Sequence, residues 1–69
     1  MKPRYWLGAV PDKDDFGVPI TDVFVDGKTS MGPWAIMSVA SMAKYGLGCG
    51  PGLGQRYIKL DGRWLKVEG

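Results

Sequence analysis

The sequence predicts one small α+β domain over residues 1–69, built of antiparallel β-hairpins with one helix. Three observations predict it. Tyr57-Ile58-Lys59-Leu60, Asp61-Gly62 and Arg63-Trp64-Leu65-Lys66-Val67 read as two strands joined by a two-residue turn. Ile20 to Val25 is rich in β-branched and aromatic residues and is followed by Asp26-Gly27, a second turn dipeptide. Between them, apolar residues fall at helical spacings from Trp34 to Tyr45.

Each element can be justified in chain order. Arg4-Tyr5-Trp6-Leu7 suits a short strand or extended arm, ended by Gly8 and Pro11. Asp12-Lys13-Asp14-Asp15-Phe16-Gly17 reads as a solvated acidic turn. After the Ile20–Val25 strand, Pro33 suits the first position of a helix and Gly46 the left-handed residue beyond its end. Two registers remain open there. Either the helix starts near Pro33, or Trp34-Ala35-Ile36-Met37 is a strand paired with Val23–Val25 and a shorter helix begins near Ser38. Gly46, Gly48, Gly50, Gly52 and Gly54 alternate with larger residues. Their bare side admits close approach of backbone or ligand if the segment is extended, and makes a flexible loop if it is irregular.

In the closing hairpin, Leu60 should face Arg63, Lys59 Trp64, Ile58 Leu65 and Tyr57 Lys66. Side chains alternate across a strand, so Ile58, Leu60 and Leu65 share one face, read as core. Tyr57, Lys59, Trp64 and Lys66 share the other, an amphipathic face. Trp6 and Trp34 are assigned to the core, because so small a domain needs its largest apolar groups.

Composition limits what this domain can do. Domains of this size remove roughly 60% of their unfolded surface from water, so the 45% hydrophobic fraction must be well used. The one cysteine, Cys49, cannot bridge within a single copy and reads as a half-buried small residue. There is no histidine, which removes the commonest zinc ligand and the usual general base. We therefore expect no enzyme, no metal and no cofactor. The uncharged run Thr29–Ala43 is too short, and too rich in Ser, Gly and Pro, to span a bilayer. A lone thiol and no signal-peptide pattern suggest a cytoplasmic setting, although virion components would look the same.

Net charge is +2 and unevenly placed: residues 1–32 carry four bases and five acids, residues 33–69 five bases and two acids. An anionic partner should meet the second half. The acids at 12, 14 and 15 fail as a calcium loop, since Phe16 and Val23 stand where oxygen ligands are required. The glycine run contains no nucleotide-binding fingerprint. It offers backbone N–H groups to an anion, helped by Gln55 and Arg56, or is a tight loop in which large side chains would clash. Tyr57, Lys59, Trp64 and Lys66 form an aromatic and basic platform for an acidic protein surface or single-stranded nucleic acid, or serve only to hold the hairpin through cation–π contacts.

Asp22–Thr29, Gly32–Met37, Gly46–Tyr57 and Asp61–Val67 together resemble small proteins of tailed bacteriophages and prophages, through the Phe-Val-Asp-Gly and Gly-Pro-Trp-Ala blocks above all. Those relatives often carry two Cys-x-x-Cys pairs and look like zinc ribbons. The pairs would fall near Lys13 and Phe16 and on Ser38 and Ser41, where no thiolate ligand stands. The resemblance thus implies a degenerate, zinc-ribbon-like frame whose metal is replaced by packing around Phe16 and Met42. It carries over no activity. The function expected is that of a phage-encoded accessory protein, in the host cytoplasm or the virion. It would bind a host or virion protein through Arg56, Tyr57, Lys59, Trp64 and Lys66, with Gly50, Gly52 and Gln55 of the glycine segment. A weak nucleic-acid module using that face is the alternative, and a structural oligomer subunit comes third. Oligomeric state is left open.

Overall fold

The computed structural model describes residues 3–69, in which four strands and one short helix make an α+β domain. Strands β1 (Val23–Lys28), β2 (Trp34–Met37), β3 (Gly54–Leu60) and β4 (Arg63–Glu68) form one antiparallel sheet in the order β2-β1-β3-β4. Helix α1 spans Val39–Tyr45 and packs on β1 and β2 but not on β3 or β4. Among the described residues no helix is long and apolar enough to cross a membrane.

The β3–β4 hairpin has the expected register, with Tyr57 opposite Lys66, Ile58 opposite Leu65, Lys59 opposite Trp64 and Leu60 opposite Arg63. Asp61 and Gly62 have φ of 51° and 77°, both positive as a tight hairpin turn requires. Beyond Tyr57 the pairing shifts and Arg56 faces Glu68, which leaves Val67 as one extra residue, a β-bulge. The arm at Arg4–Trp6 lies along the outer edge of β4: Tyr5 bridges Leu65, Trp6 N–H donates to the Trp64 carbonyl and Lys66 N–H to that of Arg4.

Asp26-Gly27 is not a turn. Both residues lie inside β1, and β2 pairs with residues 25–28, Val25 facing Met37 and Lys28 facing Trp34, instead of with Val23–Val25. Gly27 serves a different need: a Cβ there would stand 2.9 Å from the Leu53 carbonyl oxygen and 3.1 Å from the Gly54 Cα. The chain reverses between Thr29 and Pro33, where the Thr29 N–H and hydroxyl both donate to the Pro33 carbonyl. Of the two registers open for residues 34–37, the strand is adopted.

Helix α1 starts after Ser38, whose Oγ accepts the Ser41 N–H as an N-cap. Gly46 ends it in extended backbone at φ −77°, not in the left-handed region expected. A side chain at position 46 would collide with Met42 Sδ. The glycine segment is a compact turn: Gly50 and Gly54 exchange backbone hydrogen bonds, and Leu53 N–H also donates to the Gly50 carbonyl.

Both sheet faces contribute to the core, including the one expected to be amphipathic. Tyr57 is only 7% exposed, while Leu60 is 52% exposed and Trp34 51%. Phe24 stands opposite Tyr57 and stacks on it at 5.0 Å; Trp6 meets both rings edge-on at 5.3 and 5.4 Å, and Trp64 meets Phe24 at 5.0 Å. The aromatic face is buried because Phe24 and Trp6 arrive beside Tyr57 from distant parts of the chain. On the other face Val25 and Met37 are buried on the side where α1 lies.

The acidic turn is also more than a solvated loop. Asp14 is buried. Its Oδ1 accepts the N–H groups of Phe16 and Val18 at 2.9 Å, and its Oδ2 accepts that of Ser38 at 2.7 Å. Asp15 exchanges hydrogen bonds with both backbone groups of Ile36, through its own N–H and its Oδ2, and so covers the outer edge of β2. Phe16 stacks on Tyr45 at 4.3 Å. Ser38 and Ser41 thus lie beside a buried, hydrogen-bonded carboxylate, next to the Phe16–Tyr45 stack.

Candidate functional site: an open apolar trough

Because α1 covers only β1 and β2, the sheet beside it is left open. Val23 and Val25 of β1 and Ile58 of β3 form the floor of a trough of about 600 Å³. Val39, Met42 and Ala43 of α1 form one wall, and Arg56, Val67 and Glu68 line the remainder. The sequence produces this arrangement through strand alternation. Val23, Val25 and Ile58 point away from the aromatic cluster, and the bulge brings Val67 to the trough beside Glu68.

The lining is apolar apart from one ion pair, in which Arg56 Nη1 donates to Glu68 Oε1 at 2.6 Å, both side chains being half-exposed. Val39 is 61% exposed and Val67 45% exposed, so the apolar surface continues over the rim. Leu60 and Arg63 lie on the same face, with the Arg63 guanidinium 3.6 Å above the Tyr5 ring. Such a trough offers shape and apolar contact. It gathers no nucleophile or acid–base pair.

The structure divides the residues singled out from the sequence. Gln55, Tyr57, Lys59, Trp64 and Lys66 share the aromatic face, whereas Arg56 lies on the opposite one, in the trough. Tyr57 is buried, and its hydroxyl donates to Gln55 Oε1 at 3.2 Å. Trp64 and Lys66 are half-buried, and Lys59 is exposed with its Nζ 5.9 Å from the Trp64 ring. Of the expected platform, Tyr57 is in the core, while Trp64, Lys66 and Lys59 keep surface exposed. Gly50 and Gly52 lie in the turn before β3, in which the N–H groups of Gly50, Leu53 and Gly54 are taken up by internal bonds.

Electrostatics distinguish three groups. Burial would raise the Asp14 pKa, but hydrogen bonds from the Ser41 hydroxyl, the Ser38 and Val18 N–H groups and the Ser38 hydroxyl outweigh it and hold the carboxyl far below the ordinary range. Asp26 is raised by burial and then by the negative charge of Asp15. Tyr57 is raised by burial and by Asp26, against a lowering by Arg4. Among the described residues no three His, Cys, Asp or Glu side chains are gathered as a metal site, and Cys49 is half-buried.

Sequence reasoning missed the trough. Its signals were Val23 and Val25 at alternate positions, and a helix bearing Val39, Ala40 and Ala43 with a single charge, Lys44. Comparison of the chain with family models, with curated proteins and with solved structures finds no match.

Proposed function

We propose that this chain is a non-catalytic protein-recognition module, an accessory protein of the phage type its sequence resembles, and that the trough beside α1 receives an apolar segment of a protein partner. The observation that carries the reading is the half-covered sheet. Val23, Ile58 and Val67 lie beside a helix that stops short of them, and exposed Val39 and Leu60 extend the apolar surface. Contiguous apolar surface of this kind marks interaction sites. The apolar lining favours a protein over a polyanion, and the nucleic-acid alternative is weakened because Tyr57 is buried and so offers no stacking platform.

The test places a photoreactive benzophenone side chain at position 67 in the trough or at position 59 on the aromatic face, and cross-links in the producing cells. Adducts from position 67 and not from 59 support the trough. Adducts from 59 alone return the contact to the aromatic and basic face, and none from either removes the reading.

A further inference from the structure

Beyond one end of the trough stands a charge that the fold leaves without a counter-ion. Arg63 pairs with Leu60 on the trough face, one same-face step, about 7 Å, past the Ile58–Leu65 pair. Its guanidinium carbon lies 3.6 Å from the centroid of the Tyr5 ring. At that distance the group lies face-on, because a nitrogen pointed at the ring would stand about 1.3 Å nearer. Tyr5 thus holds the guanidinium in place and leaves the N–H donors around its rim free. Among the described residues the one guanidinium with a hydrogen bond or an ion pair is that of Arg56, which Glu68 engages.

We propose that the segment received by the trough carries an aspartate or glutamate, and that Arg63 binds its carboxylate and so selects acidic over basic partners. The inference rests on the reading of the trough as a protein-binding site and names the chemistry of the partner. A fixed guanidinium with free donors matches the two oxygens of a carboxylate. The other charges on this side agree with that sign. Exposed Lys44, on the outer side of α1, is a second cation outside the Arg56–Glu68 pair. Asp61 is exposed in the turn two residues before Arg63 and forms no ion pair with it. A basic segment would find Glu68 already engaged by Arg56, whereas an acidic one meets Arg63 unengaged.

The experiment selects random peptides displayed on yeast with the full chain as wild type, Arg63→Glu and Val67→Asn, each variant shown by circular dichroism to keep the wild-type fold. The wild type is expected to enrich apolar peptides bearing Asp or Glu. Arg63→Glu should enrich apolar peptides bearing Lys or Arg instead, and Val67→Asn should bind the wild-type set more weakly. In calorimetry, a synthetic peptide from the wild-type set should bind about fivefold more weakly when its carboxylate is replaced by the amide, the effect of about 1 kcal/mol. That comparison needs no change in the protein, and Arg63→Gln should abolish the difference. Enriched peptides with no excess of acid, or an amide peptide bound as tightly as the acid, overturn the inference. If such peptides still depend on Val67, the trough remains a binding site and only the role of Arg63 is lost; if none is enriched, or none depends on Val67, both readings fall.

Discussion

Asp14 and Ser38 are joined across 24 residues by a 2.7 Å hydrogen bond from the Ser38 N–H to Asp14 Oδ2. The same carboxylate closes its own turn through Phe16 and Val18, and the Ser38 hydroxyl caps α1. One buried anion thus fixes the turn, the end of β2 and the start of the helix. Ser38 Oγ donates to Ser41 Oγ at 3.3 Å, and both serines help to hold the carboxyl below the ordinary range.

Asp14→Asn should therefore destabilise the fold by about 2 kcal/mol, the loss expected when a buried group bonded through its charge becomes neutral. Urea denaturation at neutral pH measures it. A change below a few tenths of that figure would contradict the anchoring role.

The pH dependence of Asp14 follows from its lowered pKa. Its stabilisation is fully present above the ordinary carboxylate range and is lost as pH falls through that range toward the folded value. Wild-type stability should decline on acidification, and the decline should be shallower in Asp14→Asn, measured as denaturation midpoints across the acid range.

Asp26 has the opposite sign. Its folded pKa is raised by burial and by Asp15, so its contribution is fully present below the unfolded pKa and is lost as pH rises through the folded one. Asp26→Asn should raise the melting temperature at neutral pH, with the difference shrinking in acid. A variant less stable than wild type at neutral pH would refute this.

The unequal burial of Tyr57 and Leu60 predicts two unequal truncations. Tyr57→Ala should cost about 3 kcal/mol, because the ring is buried against Phe24 and Trp6, whereas exposed Leu60→Ser should stay within about 0.5 kcal/mol. Comparable losses at the two positions would show that the aromatic face is not buried as described.

Gly27→Ala tests the close approach of β1 to the turn before β3. Both nearest atoms, the Leu53 carbonyl oxygen and the Gly54 Cα, are backbone and cannot rotate away, so a loss of about 2 kcal/mol is expected in chemical denaturation.

What the sequence by itself determined is local. Asp61-Gly62 specified the β3–β4 turn and the register of the four cross-strand pairs, because two positive φ angles leave few ways to join the strands. The sequence also restricted the fold class to α+β and marked Arg4–Trp6 as an extended arm. Local signals misled where a distant contact had the deciding influence. Asp26-Gly27 looks like a turn, but Gly27 is needed for its approach to Gly54; Asp14 looks solvated, but Ser38 and Ser41 arrive from another element. The candidate site was illegible for the same reason. Period-two alternation divides the hairpin into two faces, but how deeply each position is buried depends on Phe24 pairing with Tyr57 and on where α1 stops across the sheet. Only the tertiary structure decided those, because the free energy of burying a face resides in partners that strand alternation does not name.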